Sequence, residues 1–151
     1  MARAAAFTLV ELLIVVAIVV MLAAVGLSQV AKSRMVAREQ LALQSLKAVT
    51  KACRLFFVAN QRVPVSLAEL GAPHSDPPYL DPGLAQDPAV RQGYWFAYTA
   101  AGPREFLLTV NPVEHGTTGI RHFAVDESLR VHYTDEDRDA VPGTDKLWKG
   151  E

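Results

Sequence analysis

Residues 6–27 read AFTLVELLIVVAIVVMLAAVGL, and apart from Thr8 and Glu11 this run holds only apolar residues and glycine. A run of about 20 such residues is long enough to cross a bilayer core of roughly 30 Å as a helix. The pattern therefore predicts a membrane-spanning helix that begins near Phe7 and ends near Leu27.

Glu11 places a carboxylate near the start of this apolar run. An acid inside a membrane helix costs about 2.5–3.5 kcal/mol on insertion scales, and it usually meets a partner there. We therefore expect the helix to pair with other groups as well as to anchor the chain.

The order of the segments differs from that of a secretory signal peptide, which places a small-residue cleavage site after its apolar stretch. Here the small residues Ala4, Ala5 and Ala6 precede the apolar stretch, and a helical pattern continues beyond it through residues 29–39. We therefore expect any cleavage to fall before the apolar stretch, within residues 1–6.

Residues 6–18, AFTLVELLIVVAI, resemble the leader and methylation motif of the type IV pilin and pseudopilin family. The resemblance implies that a prepilin peptidase cuts between Ala6 and Phe7 and then methylates the new amino terminus at Phe7. Glu11 becomes the fifth residue of the mature chain, which is the family's signature acid. Alanine stands at position 6, where the family usually has glycine.

Phe7 and Glu11 are the assembly residues that the resemblance implies. Cleavage would create a cationic amine on Phe7, one helical turn from Glu11. The two groups can pair within one chain, or the carboxylate can pair with the amine of a neighbouring subunit. Only the second arrangement sets the stagger between subunits, because a buried unpaired charge penalises every other register.

The resemblance also implies a location and a set of partners. The chain would sit in the lipid bilayer of the bacterial inner membrane as a single-pass protein with a periplasmic carboxyl domain. An inner-membrane assembly platform would then draw it into a helical homo- or hetero-filament, either a pilus at the cell surface or a pseudopilus. Charge counting does not settle the orientation, since Arg3 flanks one side of the span and Lys32, Arg34 and Arg38 flank the other.

Length and composition allow one domain beyond the apolar segment. The chain has 151 residues and a net charge of −1, so its charge gives no field that would favour nucleic acid, and DNA is not an expected partner. The single cysteine, Cys53, excludes an intrachain disulfide. Its helical spacing from apolar residues indicates a small buried side chain.

Periodicity predicts an α+β fold of the pilin-like kind, with a long amino-terminal helix packed on a small antiparallel sheet. The helical pattern runs from Thr8 to Ala59, and one apolar stripe marks the face of its second half that should pack on the sheet. The stripe comprises Val36, Leu43, Leu46, Val49, Cys53, Phe56 and Phe57.

The pattern divides the chain into six segments. Strand patterns predict two hairpins, with one face of the sheet on the helix and the other in water; the four strands are expected at residues 94–99, 105–110, 120–125 and 129–133. The segments are a leader (1–6), a transmembrane and assembly helix (7–30), an amphipathic continuation of that helix (31–60), a connector with a short helix (61–93), an antiparallel sheet (94–134) and an acidic carboxyl-terminal tail (135–151).

Histidines in the second hairpin are candidate metal ligands. His122 and His132 face each other if the hairpin centres on Glu127, and His115 could approach them. Two histidines are too few, because a zinc site wants three or four ligands. The simpler interpretation is a polar pair on the wet face of the sheet.

The acidic run is a weak candidate for calcium. Asp135, Asp137 and Asp139 alternate like the start of a calcium loop. Ala140 and Lys146 stand where an EF-hand needs glycine and a bidentate glutamate. The expectation is therefore no cofactor, with calcium as the alternative to a solvated acidic tail.

No nucleophile, phosphate-loop or metalloprotease motif is present in the sequence, so no catalytic residue is predicted and the chain is not expected to be an enzyme. The leading interpretation is a structural subunit of a type IV pilus-like filament. A type II secretion pseudopilin is the first alternative, and a membrane-anchored periplasmic binding domain is the second. A filament subunit that binds DNA is a third, and the negative net charge argues against it.

Overall fold

The computed structural model describes residues 7–150, with the backbone alone at residues 24–28. The predicted leader at residues 1–6, including Ala6, lies outside the described residues. The chain forms two compact units, Met1–Arg34 and Met35–Glu151. Among the described residues, no helix combines the length and the apolar character needed to cross a bilayer. The span predicted over residues 7–30 includes residues 24–28, whose side chains lie outside the description.

One long helix, α1 (Leu9–Asn60), corresponds to the helix predicted from Thr8 to Ala59. It ends where Gln61 adopts a left-handed φ of 59°, and the Gln61 amide donates a hydrogen bond of 2.8 Å to the Phe57 carbonyl. Such a left-handed residue satisfies a carbonyl that the last helical turn would otherwise leave without a donor. The connector that follows contains a short 3₁₀ helix (Leu67–Leu70).

The sheet of the second unit is an antiparallel meander of six strands in sequential order. Four of the strands correspond to those predicted. The first and last strands add residues 89–91 and 146–147, which the sequence pattern assigned to the connector and the tail, and which are too short to show a period. The strands are β1 (Ala89–Arg91), β2 (Tyr94–Ala100), β3 (Phe106–Pro112), β4 (His122–Asp126), β5 (Val131–Thr134) and β6 (Lys146–Leu147).

Within this unit, the carboxyl-terminal part of α1 packs its apolar face on the sheet, and the predicted α+β class is confirmed. Val36 is 48% exposed, but the middle of the predicted stripe is buried. Burial raises the pKa of the Cys53 thiol to about 12, so this side chain behaves as a small apolar residue. The buried cluster joins Leu43, Leu46, Val49, Cys53 and Phe56 of the helix to Tyr94, Phe96, Leu108, Val110, Phe123 and Val125 of the sheet.

The face of the sheet opposite the helix is only partly wet. In β2, side chains alternate between buried and exposed, as a two-faced sheet requires. In β4, His122 and Ala124 are buried as well as the core residues Phe123 and Val125. The segment after β5 covers this outer face, where Ala140 is buried and the Asp145 carbonyl lies 3.1 Å from His132 Nδ1. The prediction of one fully solvated face is therefore wrong over β4.

Two buried tyrosines of β2 differ in their hydroxyl partners, and this difference predicts opposite effects of the same substitution. The Tyr98 hydroxyl donates a 2.8 Å hydrogen bond to the Pro64 carbonyl. The Tyr94 hydroxyl is buried with no hydrogen-bond partner among the described residues. Tyr98→Phe should lower the free energy of unfolding by about 1–2 kcal/mol, because it leaves a buried carbonyl unpaired.

Tyr94→Phe is the matched control, since it removes a buried hydroxyl that has no partner to lose. It should leave the free energy of unfolding unchanged or raise it by up to about 1 kcal/mol. Urea denaturation of the two variants beside wild type measures both effects. An equal loss of stability in the two variants would contradict the difference in hydrogen bonding between the two hydroxyls.

Candidate functional site

The amino terminus of α1 is closed by a reciprocal pair of side-chain contacts between Thr8 and Glu11. The Glu11 amide donates to Thr8 Oγ1 at 3.2 Å. In return, Glu11 Oε2 accepts hydrogen bonds from the Thr8 amide at 3.0 Å and the Thr8 hydroxyl at 2.9 Å. This is a capping box, in which two amides at the helix start are satisfied by each other's side chains.

The capping box holds the Glu11 carboxylate beside the backbone of Phe7. Only the α-carbon and carbonyl carbon of Phe7 separate its own nitrogen from the Thr8 nitrogen that donates to Glu11. A carboxylate has about four lone-pair positions, so the two bonds from Thr8 leave capacity for a further cationic donor. The geometry therefore suits a carboxylate that meets a charged amine at this end of the helix.

Thr8 is a functional residue that the apolar pattern does not reveal, although the sequence carries a signal for it. A threonine followed three residues later by glutamate, immediately before an apolar run, is the sequence pattern of a capping box.

The surface that follows this cap is apolar and uncovered in the single chain. From Phe7 to Leu22, each large apolar side chain is more than half exposed, with values from 51% for Val15 to 79% for Phe7. Soluble proteins rarely expose contiguous apolar patches of this extent unless the patch binds a partner or a membrane. The first unit therefore presents a surface that is suited to bind a partner or a membrane.

In the second unit, the three predicted aspartates meet three different sets of partners. Asp135 Oδ1 lies 3.4 Å from Arg121 Nε, and Asp139 Oδ1 accepts a 2.6 Å hydrogen bond from the Asn111 side-chain Nδ2. Asp137 instead lies near two histidines. Among the described residues, the one group of three or more potential metal ligands contains Asp137 and neither of the other aspartates.

The predicted pairing of His122 with His132 is wrong. The turn between β4 and β5 is longer than assumed, with Leu129 at a left-handed φ of 59°. This turn shifts the register, so that His122 lies opposite Thr134 and His132 lies opposite Ala124. The histidine that approaches His122 is His115, with its Nδ1 3.2 Å from His122 Nε2.

Glu39 is a buried carboxylate on α1 that anchors the loop between β3 and β4. Its Oε1 accepts hydrogen bonds from the amides of Ile120 at 2.9 Å and Arg121 at 3.2 Å. Its Oε2 lies 3.5 Å from the Arg121 guanidinium. The apolar stripe predicted from the sequence does not include Glu39, although this residue stands one helical turn before Leu43 and thus shares the apolar face.

A long helix that begins with a capped apolar part, and whose carboxyl-terminal part packs on an antiparallel meander, defines a pilin-like α+β protein. Residues 1–27 match the family model of the prokaryotic N-terminal methylation motif, which is the signature of type IV pilins and pseudopilins. The motif points to a structural protein rather than to an enzyme. No curated protein and no solved structure matches the chain.

Proposed function

We propose that this chain is a structural subunit of a type IV pilus-like filament that assembles through its amino-terminal helix. In this proposal, prepilin peptidase cuts between Ala6 and Phe7 and methylates the Phe7 amine. The observation that supports it most strongly is the exposed apolar helix surface that begins at Phe7, inside the matched methylation motif. Such a surface needs other helices or lipid around it.

Burial of this surface, in lipid or among other helices, supplies the driving force that keeps the helix out of water. Removing one large aliphatic side chain from water contributes about 1.5–3 kcal/mol, so a helix that buries several of them gains on the order of 10 kcal/mol. Lipid covers the same side chains before assembly, when the subunit waits in the inner membrane with its sheet-containing unit in the periplasm. Contacts between helices then replace contacts with lipid when the assembly platform adds the subunit to the filament.

Glu11 gives this assembly its specificity. Transfer of an apolar helix from lipid to other apolar helices has little directional preference, because lipid tails are as apolar as leucine. A carboxylate that must meet a cationic amine selects one stagger of neighbouring helices. A type II secretion pseudopilus would use the same amino-terminal features, so these features support both kinds of filament.

The mature amino terminus tests the proposal directly. The full chain is expressed together with a prepilin peptidase, and the product is measured by intact-mass and peptide mass spectrometry. We expect a chain that begins at Phe7 and carries one added methyl group. Co-expression with an inactive peptidase is the control and should leave residues 1–6 attached. A chain that keeps these residues beside the active peptidase, or is cut beyond the apolar run, would contradict the proposal.

A further inference from the structure

Three side chains from separate parts of the second unit converge on the outer face of the sheet. They are His115 from the loop after β3, His122 from the start of β4 and Asp137 from the segment after β5, and we call them the His–Asp cluster. One potential ligand atom from each residue lies within 4.8 Å of the other two. The rings of His115 and His122 stack with centroids 5.4 Å apart.

The distances in the His–Asp cluster suit one small divalent cation. Zinc binds imidazole nitrogen at about 2.0–2.1 Å, so two nitrogens on one tetrahedral ion stand roughly 3.3 Å apart. The Nδ1 of His115 and the Nε2 of His122 are 3.2 Å apart. Asp137 Oδ1 is 3.9 Å from the first nitrogen and 3.7 Å from the second. This side chain is 74% exposed, so a small rotamer adjustment brings its oxygen into the same coordination sphere.

A chain of outer contacts orients the buried ligand. Asp139 Oδ1 accepts from the Asn111 side-chain amide at 2.6 Å, and this bond turns Asn111 Oδ1 toward His122. His122 Nδ1 lies 3.0 Å from that oxygen and must donate its proton to it. The lone pair of His122 therefore resides on Nε2, which faces His115 and Asp137. Metal-binding histidines typically show this arrangement, with the second ring nitrogen fixed by an outer acceptor.

The burial of its ring also favours His122 as a ligand. The side chain of His122 is only 6% exposed, which keeps bulk water from competing at its ring.

The loop that carries His115 is held in place from both sides. Within the loop, the Gly116 amide donates to the Gly119 carbonyl at 2.8 Å. Beyond it, Glu39 on α1 accepts the amides of Ile120 and Arg121. His115 is thus presented by a closed loop anchored to the core, which reduces the ordering cost of binding.

We propose that His115, His122 and Asp137 bind one divalent transition-metal ion of the zinc class, with a water molecule in the fourth position. Two imidazoles and one carboxylate favour such an ion over calcium, which prefers oxygen ligands alone. The ion would tie the segment after β5 to the loop after β3 and to β4. It would therefore stabilise the second unit, whether or not the chain is processed at its amino terminus.

Metal titration of the full chain tests this site. Untagged chain is purified in detergent, freed of metal with a chelator and titrated with cobalt chloride, which reports tetrahedral nitrogen and oxygen ligands through its visible absorption. Zinc chloride is then added to displace the cobalt, and calorimetry gives the stoichiometry. We expect one ion per chain, and a thermal midpoint that rises with the zinc concentration because binding stabilises the folded state.

His115 is half-buried and Asp137 is exposed, so both can be substituted with little risk to folding. His115→Ala and Asp137→Asn should each weaken zinc binding by about 100-fold or more, since loss of an outer contact alone typically costs about 10–100-fold. The matched controls are His74→Ala and Asp135→Asn, which change an exposed histidine and a neighbouring exposed aspartate outside the cluster. They should bind zinc as wild type does.

Three results would overturn the proposal. The first is the absence of stoichiometric binding by wild type. The second is unchanged zinc affinity in both His115→Ala and Asp137→Asn. The third is an equal loss of affinity in the control variants, which would place the metal elsewhere. Each result can be obtained whether or not Phe7 is the mature terminus, so failure here is distinguishable from failure of the proposed filament function.

Discussion

A Glu11→Ala chain is expected to be cleaved and methylated but to form few or no filaments. If the mature Phe7 amine is buried among apolar helices, alanine at position 11 leaves this cation without its partner. An uncompensated buried charge costs about 3–5 kcal/mol, and each 1.4 kcal/mol is a factor of ten in an equilibrium constant. Subunit addition should therefore weaken by roughly a hundredfold to a thousandfold or more. Filament yield, measured by sedimentation and electron microscopy, reports the effect.

The capping box provides a control that separates the charge of Glu11 from its role at the helix start. Thr8→Val removes the hydroxyl that accepts from the Glu11 amide and donates to the Glu11 carboxylate. Loss of such a cap costs about 1 kcal/mol of helix stability, but the carboxylate remains available to the amine. Thr8→Val filaments should therefore form with wild-type stagger.

Glu11→Gln completes the comparison, because it keeps an oxygen acceptor for the Thr8 amide and removes only the charge. It should assemble as poorly as Glu11→Ala. Wild-type filament yield and stagger in the Glu11 variants would refute the proposed charge pairing. Loss of assembly in Thr8→Val alone would show that the acid serves the helix cap instead.

Glu39→Ala should destabilise the second unit by about 2–4 kcal/mol. The substitution removes the acceptor of two loop amides, Ile120 and Arg121, and the partner of the Arg121 guanidinium. Each amide left without a partner at a partly buried site costs about 1–3 kcal/mol. The midpoint of urea unfolding of the full chain in detergent should fall while its slope stays unchanged.

Two further substitutions serve as comparisons for the Glu39→Ala variant. Gln40→Ala changes the next residue of α1, which is exposed, and should alter stability by no more than about 0.5 kcal/mol. Glu39→Gln keeps one oxygen for the loop amides and should lose less than Glu39→Ala. If Glu39→Ala unfolds at the wild-type urea concentration, the buried carboxylate does not anchor the loop.

The Glu39→Ala variant also tests whether the proposed zinc site depends on the loop that Glu39 anchors. Glu39 holds the end of the loop that presents His115, so Glu39→Ala should also reduce zinc affinity, although Glu39 is not a proposed ligand. A variant with lower stability and unchanged zinc affinity would show that the Gly116–Gly119 contact alone positions His115.

Local patterns predicted the parts of this protein that depend on neighbours in sequence. The length of α1 follows from an unbroken helical pattern, and its buried face follows from apolar residues spaced by three and four. The four longer strands, of four to seven residues, follow from their strand patterns in the sequence. β1 and β6 pair through three and two residues, and segments this short carry no detectable period, so only their neighbours in the sheet reveal them.

The register of the second hairpin could not be predicted, because it depends on the turn that closes it. One residue in the left-handed conformation, Leu129, changes which residues face each other. With that change, His132 leaves the predicted pair and His115 replaces it. The position of His115 depends in turn on a loop held by Glu39, which stands far away in sequence.

The sequence alone predicted the amino-terminal chemistry, since the methylation motif, the apolar run and the acid at position 11 are contiguous in the chain. Only the tertiary structure brought His115, His122 and Asp137 together. Contacts between residues distant in the chain depend on turn geometry and on packing against α1. Neither of these produces a periodic pattern in the sequence.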